Sequence, residues 1–321
     1  GSFEVNGYGE PSISDDLLRK TLPYLTYVTP FTYGLTQSGS LVMLNDNHMI
    51  DIAKEYDTAP LMHLSTLTEK GNFDSARASI VLNNQMIQDK LIDEIIENMN
   101  DKGYYGLDVD FEFINKQDAE KYAAFISNLR SRLNPLGYEV ITALAPKISA
   151  MQRGTLHEGH LYKEIGIASN AVFVMTYEWG YTYGPPQAVS PLPNVRAVLD
   201  YAVSEIPREK IFMGISNYGY DWTLPFEKGD KARSISNDEA IKLAIQYGAE
   251  IQYDETAQAP YFHYYDKRGR EHVVWFEDAR SLSARLSLIA EYGFQGAGIW
   301  NLMRPFSQLW LVISSLYHIE D

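Results

Sequence analysis

From Tyr105 to Phe113 the chain reads Tyr-Gly-Leu-Asp-Val-Asp-Phe-Glu-Phe, and this run limits the possible folds more than any other segment. Carboxylates alternate with apolar residues at a period of two, the period of a β-strand, whose successive side chains point to opposite faces. Leu107, Val109, Phe111 and Phe113 fall on one face, and Asp108, Asp110 and Glu112 on the other. The apolar face calls for a covering layer of helices. Acids stacked on a buried strand repel one another and resist losing water, so they need a cavity or a site to open into. Buried strands of parallel sheets otherwise read as near-continuous apolar runs. Carboxylates in this arrangement suit acid–base work on a polar, uncharged bond.

The rest of the chain supplies the covering layer. Strand-like segments recur at Phe3–Tyr8, Leu25–Phe31, Pro60–Leu64, the acidic run, Tyr138–Ala145, Ala171–Glu178, Ile211–Tyr218 and Gly296–Trp300. Helical spacing lies between them, at Met43–Glu55, at Met86–Met99, along Ala119, Tyr122, Ile126, Leu129 and Leu133, and at Val195–Ser204. Ser14 reads as the cap of a short first helix, and a last helix carries Leu309, Val312, Ile313 and Leu316. Strand–helix alternation repeated eight times predicts an α/β fold, a closed (β/α)8 TIM barrel.

One stretch breaks the alternation. Residues 223–277 are too long for a simple connection. Ser236 and Glu239 form a capping-box pattern ahead of Ala240–Tyr247, and Asp266-Lys-Arg-Gly-Arg270 reads as a hairpin turn between Tyr261–Tyr265 and His272–Phe276. The predicted organisation is therefore a catalytic barrel of residues 3–222 and 278–321, with an α+β insertion of residues 223–277 between strands seven and eight.

Bulk composition excludes several function classes. The 321 residues carry a net charge of −15, which argues against nucleic acid and anionic membrane surfaces as partners. The absence of cysteine removes thiolate metal sites and cysteine nucleophiles. No apolar run approaches the roughly 18 residues of a membrane span. His157-x-x-His160 lacks a clear third ligand, and no dinucleotide or phosphate-binding loop is recognisable. Neither a metal nor a cofactor is expected.

Barrel enzymes work at the C-terminal ends of their strands. Glu112 lies closest to that mouth, with Asp110 and Asp108 deeper. Neighbouring negative charge should raise the Glu112 pKa and keep it protonated as a general acid. Tyr177, at the end of strand six, offers a hydroxyl, and Trp300, at the end of strand eight, an apolar floor. Sugar rings have apolar C–H faces, so an aromatic floor beside carboxylates is a carbohydrate signal. Tyr8, Phe31 and Tyr218 add aromatic surface at other strand ends.

These residues carry a family resemblance. Gly106-x-Asp108-x-Asp110-x-Glu112 resembles the D-G-x-D-x-D-x-E signature of family 18 glycoside hydrolases. Met175-x-Tyr177 followed by Glu178 resembles that family's sixth-strand motif, Gly214–Gly219 its seventh-strand motif, and Trp300 its eighth-strand tryptophan. The sequences Met175–Gly180, Gly184-Pro-Pro186 and Val5–Tyr8 are similar to the spore cortex-lytic branch, N-acetylglucosaminidases of peptidoglycan. Tyr105 departs from the signature's first Asp, the one furthest from the chemistry, so activity is expected to survive.

The resemblance implies a retaining, substrate-assisted glycosidase cleaving β-1,4 bonds after N-acetylglucosamine. In that scheme Glu112 is the acid, Asp110 orients the acetamido N–H, Tyr177 binds the acetamido oxygen and Asp108 tunes Asp110. Trp300, Glu178, Trp179, Tyr8, Phe31, Tyr218 and Asn217 are the expected substrate-binding residues. The expected partner is an N-acetylated glycan, from peptidoglycan or a chitin-like polymer, met by a monomer outside the cell at the wall or spore. The alternatives are a chitinase or chito-oligosaccharidase, and a glycan-binding wall protein without catalysis.

Overall fold

The computed structural model describes residues 2–320. Eight parallel strands form the barrel: Ser2–Gly9, Tyr27–Pro30, Ala59–Ser65, Gly106–Asp110, Glu139–Leu144, Ala171–Val174, Ile211–Ser216 and Gly296–Trp300. Each pairs with the next, and the eighth pairs with the first, placing Trp300 beside Tyr8. Closure removes every free edge. The strand–helix alternation is thus realised as the predicted TIM barrel.

Two layers hold it. Outward side chains pack under the helices, and strand four shows why. Phe111 stacks on Tyr122 and Phe125 at centroid distances of 5.5 and 5.6 Å, while Leu107 and Val109 are fully buried. The helix Gln85–Lys102 that feeds this strand is bounded at both ends. Asn84 accepts from the Ile87 N–H at 3.1 Å, and Gly103 closes the helix at φ 75°. Inside the barrel, Tyr27, Leu61, Ile141, Phe173 and Phe212 fill the lower layers, so the interior is packed below and open only near the mouth.

Several strands end sooner than their sequence pattern predicts. Strand two ends at Pro30. Strand four ends at Asp110, and Phe113 turns away at φ 59° to lie exposed on the rim beside Phe73. Strand six ends at Val174, with Glu178 at φ 74°. Left-handed backbone cannot continue a strand, and in non-glycine residues it clusters where a site over-determines the chain. The two turns immediately follow Glu112 and Tyr177.

The insertion is a five-stranded antiparallel sheet with the helix Asn237–Gln246, which Ser236 caps. Its sheet takes in Tyr218–Thr223, so it reaches back ahead of the expected start at residue 223. Gly219 permits this, because a Cβ there would stand 2.3 Å from the Trp275 carbonyl oxygen. The buried Arg285 ties insertion to barrel through the carbonyls of Ser190 (2.8 Å) and Gln258 (2.9 Å) and through Glu277 (3.0 Å).

Candidate active site

Register puts His63 of strand three beside Asp108 and Ser65 beside Asp110, all facing inward. Tyr8 is buried, and its hydroxyl donates to Asp108 Oδ2 at 2.5 Å. His63 Nε2 stands 3.3 Å from Asp110 Oδ2, and Thr32 Oγ1 is 2.5 Å from the other ring nitrogen. Asp108 Oδ1 and Asp110 Oδ1 are buried with no hydrogen-bond partner.

The three acids hold their protons unequally. Burial pushes Asp108 up to about 6, partly offset by His63 and the Tyr8 hydrogen bond. Burial also opposes ionisation of Asp110, but its hydrogen bond and charge interaction with His63 win and hold it below the usual carboxylate range. Glu112 is raised well above that range, first by burial and then by the Asp110 charge. Asp110 and Glu112 line one cavity, and the Asp110 charge adds to the rise of Glu112. Of the two carboxyls, Glu112 is the one poised to keep a proton.

Tyr177 lies across from them. Gly214 makes room for it, since a Cβ there would meet Tyr177 Cε1 at 2.9 Å and the Val174 carbonyl at 2.7 Å. The Tyr177 hydroxyl is held neutral by burial and by the surrounding carboxylates, Glu112 foremost. Trp300 packs against Tyr8 at 5.7 Å and edge-on against Phe31 at 5.0 Å. These groups enclose a cavity of about 200 Å³ walled by Tyr8, Phe31, His63, Asp110, Glu112, Phe173, Tyr177 and Trp300. A larger groove of about 580 Å³ lies on the other side of Glu112, lined by Ile148, Gln152, His157, Glu178, Trp179 and Tyr181. Glu112, Met175 and Tyr177 line both.

A family model, Glycosyl hydrolases family 18, matches residues 23–304. The chain belongs to glycoside hydrolase family 18. It is 42% identical to a cortical fragment-lytic enzyme of Bacillus subtilis, over 99% of this chain and 75% of that one. The crystal structure of the Bacillus cereus spore cortex-lytic enzyme SleL superposes with a TM-score of 0.95 at 38% identity, over 99% and 75% of the two chains. A chitinase from Chromobacterium violaceum shares the fold, with a TM-score of 0.89 at 24% identity over 97% and 98%.

As a family 18 glycoside hydrolase, the chain brings most of the residues singled out in its sequence to one place. Glu112, Asp110, Tyr177, Trp300, Tyr8 and Phe31 line the cavity, and Glu178 and Trp179 line the groove. Asp108 lies beneath, bonded to Tyr8. Two expected substrate contacts are committed elsewhere. Asn217 accepts from the Asn301 N–H at 2.8 Å and donates to the carbonyls of Asn301 (2.8 Å) and Arg304 (3.1 Å), so it braces the loop behind Trp300. Buried Tyr218 donates to Glu178, as does Tyr220 at 2.8 Å, and the pair fixes that carboxylate at the rim.

Three residues escaped the sequence reading. His63 holds Asp110 and Thr32 holds His63; the available signal was a lone histidine at period two with Leu61 and Ser65 on an otherwise apolar strand. The third is His160, from the pair set aside as a metal motif. Its Nδ1 accepts from the Ala145 N–H at 2.9 Å, so Nε2–H donates to the Phe111 carbonyl at 2.7 Å. Burial lowers its pKa to about 4, and it anchors, as a neutral ring, the backbone just before Glu112. Among the described residues no cluster of three His, Cys, Asp or Glu is placed to hold a metal ion, and no helix is long and apolar enough to cross a membrane.

Proposed function

We propose that the chain cleaves β-1,4 bonds after N-acetylglucosamine in peptidoglycan, of the spore-cortex kind, with retention and with the substrate's own acetamido group as nucleophile. The observation that carries this reading is that Asp110 and Glu112 leave one strand end and line the same cavity as Tyr177 and Trp300. Two-carboxylate retaining glycosidases hold the pair about 5–5.5 Å apart and inverting ones further still. Two carboxyls that leave the same strand end stand beside a ring rather than on its opposite faces, so the nucleophile is assigned to the sugar.

Glu112 gives its proton to the glycosidic oxygen as the bond from the anomeric carbon breaks. The acetamido carbonyl oxygen closes on that carbon to form an oxazolinium ion. Ionised Asp110 accepts the acetamido N–H and stabilises the positive charge, and the Tyr177 hydroxyl donates to the acetamido oxygen. Water then attacks from the side the leaving sugar has vacated, returning its proton to Glu112 and restoring the configuration. Trp300 carries the apolar face of the ring. The barrel holds this machinery, and the insertion backs it by packing on Tyr177 and Trp300. The cortex-lytic names of the similar Bacillus proteins favour peptidoglycan over chitin, and they support a reading in which the enzyme acts at the wall or spore.

The test is digestion of purified cortex peptidoglycan fragments and chitin oligomers, with the new ends read by mass spectrometry. New N-acetylglucosamine reducing ends from peptidoglycan are expected. Cleavage of chitin alone would move the chain to the chitinases, and binding without cleavage would make it a glycan-binding protein.

A further inference from the structure

We infer that a cleft opening off the outer groove binds a short peptide carried by the leaving-group sugar, one bearing both carboxylate and ammonium groups. The inference rests on the proposed reading of the site, because that reading fixes which side is which. Glu112 must reach the leaving oxygen. The ring under attack therefore lies in the cavity with Asp110, Tyr177 and Trp300, and the departing sugar lies in the groove. Gln152 is a wall of both the groove and a neighbouring cleft of about 350 Å³, and it is pinned there by accepting from the Ile148 N–H at 2.7 Å. A substituent projecting from the departing sugar has this cleft as its next space.

One charge of the cleft is unusual for this chain. Lys147 is 2 % exposed, yet its Nζ donates only to the His160 carbonyl, at 2.9 Å. Lys116 and Arg153 stand exposed at the rim, with Glu120 and Glu158 on the same walls. Among the described residues none of these five side chains has an opposite charge within 4 Å, whereas Arg285, the other cation buried as deeply as Lys147, pairs with Glu277 at 3.0 Å. Burying an ammonium with one of its three donors used is costly unless an anion completes it. A neutral sugar offers no such partner. A peptide end offers a carboxylate to Lys147 and, through an amine, a cation to Glu120 or Glu158. The volume falls in the range of small-ligand sites.

The experiment separates this inference from the reading beneath it by measuring binding without turnover. Glu112→Gln protein is titrated calorimetrically with a peptidoglycan tetrasaccharide bearing its stem peptides, with the same glycan after enzymatic removal of the peptides, and with chitotetraose. The peptide-bearing glycan is expected to bind about tenfold tighter than the stripped one. Adding Lys147→Met should abolish that advantage and leave the other two affinities unchanged. Lys147 is buried, so the exposed pair Lys116→Ser and Arg153→Ser serves as a second variant that cannot unfold the core, with a loss of about threefold confined to the peptide-bearing glycan. Equal affinity for intact and stripped glycans, or equal losses on all three ligands, overturns the inference. Failure of the wild-type enzyme to cleave any of them overturns the catalytic reading instead.

Discussion

Asp46, Asp108 and Asp110 are all buried carboxylates, but their surroundings are built on opposite plans. Asp46 receives Lys102 Nζ at 2.6 Å on one oxygen and the hydroxyls of Tyr33 and Tyr104 on the other. Every lone pair that matters has a donor, and the charge is neutralised where it sits. Asp108 and Asp110 each keep one oxygen without a partner, and Glu112 beside them in the cavity is poised to hold a proton. A completed cluster fixes structure. An incomplete one holds acceptors and a mobile proton ready for a substrate. Burial of an acid is therefore a weak marker of function, and unfinished coordination of a buried acid is a strong one.

The largest expected effects put that distinction at risk directly. Glu112→Gln should lower kcat by about 10³ while leaving the thermal melt unchanged or raised, since it removes a general acid and relieves a buried carboxyl. Asp110→Asn should cost about 10² in kcat, with a small loss of stability because the charge interaction with His63 goes. Asp46→Asn should do the reverse. It leaves Lys102 without its counter-ion and should cost about 2–3 kcal/mol in urea unfolding, discounted from a fully buried pair because Lys102 reaches solvent, with kcat per folded molecule intact. If Asp46→Asn lost turnover as Asp110→Asn does, the two sites would not differ in kind.

A second, smaller set of effects is read in pH. The Asp110 charge is the second cause, after burial, of the raised Glu112 pKa. Removing it by Asp110→Asn should lower that pKa, so the basic limb of residual kcat/KM should move to lower pH. Stability carries its own signature. Asp108 rises from 3.8 to about 6 on folding. Between those values the native state holds a proton that the unfolded state has lost, so stability falls as pH rises from about 4 to about 6. Asp110 is shifted downward, and its contribution appears only below 3.8, where stability is lost as pH falls. Asp108→Asn should therefore make the fall between pH 4 and 6 shallower, since Glu112 and Glu277 are raised as well and keep their share of it, with a gain of at most about 3 kcal/mol at pH 7. Denaturant midpoints across that range decide it, and an unchanged slope would mean that Asp108 is ionised throughout.

The acids themselves were legible in the sequence because period two is a local property. Leu107 and Asp108 declare opposite faces whatever surrounds them, and eight such segments separated by helical spacing leave few folds but the barrel. The supporting residues were not legible, because their meaning depends on register. Nothing near His63 says that Asp108 will lie beside it on the neighbouring strand, and nothing near His160 says that its ring will hold the Phe111 carbonyl. The early strand ends were hidden for another reason. Phe113 and Glu178 adopt left-handed backbone without being glycine, a conformation the site imposes and local preference does not announce. Asn217 belongs to a recognisable motif, yet its amide is consumed by the strand-eight loop, which only the tertiary structure reveals.

The finest probe of the two plans is a pair of matched deletions of a single hydroxyl. Tyr104→Phe removes one of the three donors on Asp46, leaving Lys102 and Tyr33 in place. It should cost about 1 kcal/mol of stability and nothing in kcat. Tyr8→Phe removes the donor to Asp108. That bond favours the ionised form, so its loss pushes Asp108 further toward the neutral acid at pH 7. The buried group then takes up a proton, which offsets much of the lost hydrogen bond, and stability should change by less than about 1 kcal/mol. Turnover should respond where stability does not. A neutral Asp108 no longer balances Asp110 against His63, and kcat should fall by about threefold to tenfold, with KM nearly unchanged because Tyr8 keeps its ring against Trp300. Equal kcat in the two variants would show that the hydroxyl on Asp108 serves only to hold the barrel together, as the one on Asp46 does.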